Sequence, residues 1–192
     1  RRTAVRSVTE SGSGSVLINF LLFNACWFAL VLGAANGIVW PGMLLAGEQV
    51  RGCCRVLRKA GATVVSEVLR NEDECAEWDH YPKGDVYDRE THSQYYFHAH
   101  PRGARETVYG AECGHFHTFV RLKGMPSGVR PAQVEGFGKL KSDDDAPAHL
   151  VGISMDREGR PIRLFTTNRW VTGETWYAAS DAKRLLDVFD VG

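Results

Sequence analysis

Two stretches decide the fold: Ser93-Gln-Tyr-Tyr-Phe-His-Ala-His100 and Ala111-Glu-Cys-Gly-His-Phe-His-Thr-Phe-Val-Arg-Leu122. Both alternate and are rich in aromatic and β-branched residues, the pattern of half-buried strands. Side chains two apart on a strand share a face, so His98 with His100 and His115 with His117 each present two imidazoles together. If the strands pair antiparallel, cross-strand Cβ atoms about 4.5–5.5 Å apart let four rings converge on one ion at about 2.0–2.1 Å. The opposite positions, Tyr95, Phe97, Phe116, Thr118 and Val120, should then face a helical layer. Glu112 precedes His115 by three residues, which on an ideal strand faces away; a bulge at Gly114 could turn Glu112 or Cys113 inward.

The flanking sequence extends this pattern to an α+β domain: an antiparallel sheet with helices on one face, preceded by one transmembrane helix. Residues 101–110 read as a hairpin connection, and a second hairpin runs from His149 through the turn Asp156-Arg-Glu-Gly-Arg160 to Thr167. Gly47 to Asn71 has helical periodicity, with Gly61 able to split it. Ser180 is placed to cap a last helix, Asp181 to Phe189, and Gly124 to Pro147 reads as a long surface loop. Trp78 to Asp88 has two readings: a loop over the histidine face lending a carboxylate to a ligand His, or a tight turn with solvated charges. Thr166 to Trp176 would line a pocket or close the sheet edge.

Val16 to Ala46 carries no charged side chain. A helix needs about 20 such residues to cross a bilayer core of about 30 Å, so the run is long enough to span. A cleaved signal peptide would have a shorter apolar core, and a buried core helix finds too little surrounding protein here. The expected division is a flexible tail over 1–15, a membrane segment over 16–46 and a soluble α+β domain over 47–192. Membrane lipid is one implied partner. Asn19 and Asn24, polar groups in an apolar helix, point to other membrane-protein subunits as a second. Arginines flank both ends, so the charge rule does not say on which side the soluble domain lies.

The 23 basic and 23 acidic residues cancel among 192, which removes any global field for nucleic acid. A composition of 44% apolar and 24% charged residues is ordinary for a globular chain and excludes a disordered one. The five cysteines show no Cys-x-x-Cys spacing, and phosphate-loop, serine-elbow and zincin motifs are missing from the sequence. Imidazole ligands suit Zn, Cu, Fe or Ni, and a carboxylate moves the preference toward Fe or Mn. The expected cofactor is one divalent transition-metal ion (Zn, Cu or Fe) on His98, His100, His115 and His117, with Glu112 as an optional ligand.

Asn19-Phe-Leu-Leu-Phe-Asn-Ala-Cys-Trp-Phe-Ala-Leu-Val-Leu-Gly-Ala-Ala35 resembles the first membrane helix of small uncharacterised bacterial inner-membrane proteins, which implies location at that membrane. Trp78-Asp-His-Tyr-Pro-Lys-Gly-Asp-Val-Tyr-Asp88, Ser93 to His100, Gly114-His-Phe-His-Thr-Phe119 and Leu164-Phe-Thr-Thr-Asn-Arg-Trp-Val-Thr-Gly-Glu174 together resemble an uncharacterised bacterial domain family of unknown function. That resemblance implies a bacterial source and brings no activity. Two functions follow from the residues. Four histidines closing the site would suit an accessory or structural subunit of a membrane complex. Three ligands and an open position would suit an oxygenase-like or hydrolase-like enzyme, its pocket lined by Tyr96, Asp79 or Trp170.

Overall fold

Pro41 opens the first helix of the described residues, α1 (Pro41–Lys59), where its missing N–H would have no partner anyway. This computed structural model describes residues 41–191 apart from 71, 73–75, 77–78, 101–110, 133–146, 168 and 173–174. Within α1, Met43 and Val50 are buried, and Cys54 and Leu57 continue the stripe against the core. The helix ends where Gly61 turns left-handed at φ +74°. The Gly61 N–H bonds to Arg58 O and the Ala62 N–H to Leu57 O, which satisfies carbonyls of the last turn. A short α2 (Val64–Val68) follows, its start closed by reciprocal bonds between Thr63 and Ser66.

Five antiparallel strands follow in simple meander order: β1 (His80–Tyr87), β2 (Ser93–Ala99), β3 (Glu112–Val120), β4 (Ala148–Asp156) and β5 (Pro161–Phe165). Among the described residues two further helices, α3 (Arg169–Thr172) and α4 (Ala179–Leu186), make this an α+β fold. One face of the sheet is apolar. Tyr95, Phe97, Phe116, Val120, Ile153 and Met155 pack there with Val50, Val64, Val65 and Leu185 from the helices. Thr118 is also buried and donates its hydroxyl to Val151 O. Phe97, Phe116, Ile153 and Met155 are 0% exposed, and full burial of such a side chain contributes roughly 1.5–3 kcal/mol. At the tip of the β4–β5 hairpin Gly159 has φ +71°, and a Cβ there would lie 2.5 Å from Thr63 Cβ. The turn therefore seats directly on the cap of α2.

Three expectations change. Pro41 to Ala46 are helical and belong to the amphipathic α1, which begins six residues before the expected Gly47. Among the described residues no helix is long and apolar enough to cross a membrane, and residues 16–40 lie outside them. The segment read as a loop after Trp78 is the edge strand β1; its register shifts between Tyr81 and Val86, so the punctuating Pro82 and Gly84 sit in an irregularity that an edge tolerates. The last helix starts at Ala179 with Ala178 as its N-cap and no side-chain cap, two residues ahead of the expected start at Asp181. The β2–β3 connection and most of Gly124–Pro147 lie outside the described residues.

Candidate metal centre

Opposite the apolar face, the sheet carries Tyr96, His98, His115, His117 and Phe119 from β2 and β3. His98 stands directly across from His115, and Tyr96 across from His117. His100 continues the row just beyond β2, held by its N–H to Cys113 O at 2.9 Å. On β4, Ser154 and Gly152 lie opposite His115 and His117. A Cβ at Gly152 would lie 2.4 Å from the Phe165 ring, so the missing side chain is what lets Phe165 lie across β4. From there the ring meets His115 and His117 edge-on, at centroid distances of 5.1 and 5.9 Å.

The β3–β4 register shifts between Glu112 and Gly114, the bulge that the glycine made plausible. At Gly114 a Cβ would lie 2.4 Å from Phe97 Cζ and 2.5 Å from His98 O, so only glycine fits. The shift separates the two candidates for an inward turn. Cys113 packs against the apolar core and donates its thiol to Asp156 O. Glu112 joins the histidine face: its Oε1 lies 2.9 Å from His115 Nδ1 and 3.5 Å from His100 Nε2, and its Oε2 accepts from Arg163 at 2.7 Å. His100 Nε2 and His115 Nδ1 are themselves 3.2 Å apart.

The four predicted histidines share this face but do not surround one point. They divide into two groups that could each hold a metal ion, His98–His115–His117 and His100–Glu112–His115, with His115 common to both. The ligand atoms within each group lie within 4.8 Å of one another. Glu112 is thus a full member of one group. Sequence reasoning overlooked His149, whose Nε2 lies 3.0 Å from His117 Nδ1, and Arg163, which fixes Glu112. Strand alternation groups His149 with the core residues Ile153 and Met155, and only the register shift between His117 and Phe119 brings it to the imidazole face; Arg163 reaches that face by pairing with Ser154 across β4 and β5.

Burial disfavours a charged Glu112, yet hydrogen bonds from His115 and Ser154 and the charges of His115 and Arg163 outweigh it, holding the carboxyl at about 2. Burial first, then the neighbouring imidazoles, lowers His117 to about 2 and His149 to about 4. Near neutral pH these give a carboxylate and neutral imidazoles, the forms that ligate metals. Tyr96 lies between His80, stacked at 3.6 Å, and His117 at 5.1 Å. Asp79 is exposed, and it is Asp85 that bonds to His80, at 3.0 Å. Asp88 accepts from the backbone of Glu90 and Thr91, a turn role. The side chain of Trp170 lies outside the described residues.

The chain belongs to the family described as Domain of unknown function (DUF6969), whose model matches residues 44–192. No curated protein and no solved structure matches it.

Proposed function

We propose that this domain is a metal-dependent catalyst that holds a divalent transition-metal ion on His100 Nε2, His115 Nδ1 and Glu112 Oε1. One observation carries the reading. The edges between these three atoms are 2.9, 3.2 and 3.5 Å. Donors bonded at about 2.0–2.1 Å stand about 2.9 Å apart around an octahedral ion and about 3.4 Å apart around a tetrahedral one. The triangle is therefore a preformed face of a coordination shell, at present bridged by hydrogen bonds whose protons an ion would displace. Two imidazoles and one carboxylate leave further positions for water, dioxygen or substrate, the donor set of both hydrolytic zinc and non-haem iron sites. Arg163 and Ser154 would orient Glu112, since Arg163 reaches both.

A second reading, a metal-holding accessory subunit, is favoured by burial. The side chains of His100 and Glu112 are 1% exposed and that of His115 8%. Loading tag-free protein with Co(II) separates the two: a visible spectrum that shifts on adding azide marks an exchangeable position and supports the catalyst, and an unresponsive spectrum supports the subunit. Protein that takes up no metal removes both. Anchoring of the domain to a bacterial inner membrane through 16–40, with membrane-protein partners at Asn19 and Asn24, belongs to the same proposal and rests on the charge-free run. Carbonate extraction of membranes tests it, and an intact chain in the soluble fraction overturns it.

A further inference from the structure

We infer that the same face holds a second ion, linked to the first through the ring of His115. This rests on the reading of His100, Glu112 and His115 as ligands of one ion, and extends it to a dinuclear centre. The second group is His98, His115 and His117. An imidazole has two ring nitrogens, each able to ligate. His115 Nδ1 faces Glu112 and His100. Along β3, Glu112 and His117 flank His115 from opposite directions, so the group on the His117 side takes the other nitrogen, Nε2.

The remaining ligands are arranged for that role. His117 Nδ1 lies 3.0 Å from His149 Nε2, which assigns its own Nε2 to the metal and makes His149 the partner that holds the ring. His98 and His117 meet His115 with rings nearly perpendicular, at 83° and 87° and centroid distances of 5.2 and 4.7 Å. Bond lengths of about 2 Å on either side of the bridging ring put the two ions about 6 Å apart. The sites differ in kind. The group with Glu112 suits Fe, Mn or Zn, and the imidazole-only group suits Cu or Zn. Entry of the second ion forms metal–nitrogen bonds to His98, His117 Nε2 and His115 Nε2 in exchange for water ligands of the ion and releases the ring proton of His115 to solvent, with no change of oxidation state.

Equilibrium loading of the full, tag-free chain with Zn(II), followed by elemental analysis, tests the inference. Two ions per chain are expected, falling to one in the His98→Ala/His117→Ala variant. A single ion lost in Glu112→Gln but kept in the double variant overturns the second site and leaves the first. One that survives Glu112→Gln but not the double variant overturns both, as does no binding at all. Wild-type protein loaded with Cu(II) supplies a readout free of folding effects. Coupling through the ring should leave an integrated paramagnetic signal well below that of two isolated Cu(II) ions, whereas two full, independent signals overturn the bridge.

Discussion

Glu112 Oε1 lies 2.9 Å from His115 Nδ1, although the two residues are three apart on β3 and a regular strand would put them on opposite faces of the sheet. The register shift at Gly114 removes that opposition. The donor set therefore depends on a backbone irregularity as much as on its side chains.

Gly114→Ala should destabilise the domain by roughly 1–3 kcal/mol, because the new methyl meets the Phe97 ring and the His98 carbonyl at 2.4 and 2.5 Å. Urea unfolding checks this. Gly42→Ala in α1, where nothing lies within 4 Å, should instead be neutral or stabilise by about 0.5–1 kcal/mol. Equal effects of the two would contradict the account of the bulge.

Arg163→Ala leaves every proposed ligand in place but removes the guanidinium 2.7 Å from Glu112 Oε2. Loss of such an orienting partner lowers metal affinity by about 10–100-fold. Competition against a chelator of known affinity measures it, and unchanged affinity would show that Arg163 does not position the carboxylate.

Stability should fall as the medium is acidified, in two stages. His117 and His149 drop from an ordinary 6.5 to about 2 and about 4 in the fold. Below pH 6.5 the unfolded chain takes up protons that the folded one refuses, so unfolding gains. Glu112, lowered from 4.5 to about 2, adds a contribution present above pH 4.5 and lost as pH falls toward 2. Urea midpoints measured without metal from pH 8 to pH 4 should decline below about 6.5; a flat profile would mean that the two imidazoles are not buried neutral.

Gly152→Ala should displace Phe165, since its new methyl would lie 2.4 Å from that ring. With the ring moved from His115 and His117, a bound ion should be stripped by a chelator several-fold faster, with little change in overall secondary structure. Stopped-flow removal of Zn(II) reads the difference, and an unchanged rate would show that Phe165 does not cover the centre.

Local features were legible in the residues alone. Alternation over Ser93–His100 and Ala111–Leu122 specified two strands and the shared face of each His-x-His pair, because the strand period is two. The same alternation assigned Tyr95, Phe97, Phe116 and Val120 to the core. Gly114 marked a possible bulge but left Glu112 and Cys113 equivalent, since a bulge turns one of them and the choice depends on the partner strand. Three things came from the folded arrangement: that Pro82 and Gly84 lie in a paired edge strand, that His149 and Arg163 reach the imidazole face through β4 and β5, and that four histidines form two groups around His115. Each depends on a register between strands, and His149 is 32 residues from the His117 it touches. Periodicity says which side of a regular strand a residue occupies; pairing across the sheet says where that rule breaks, as at His149, and what the residue meets there.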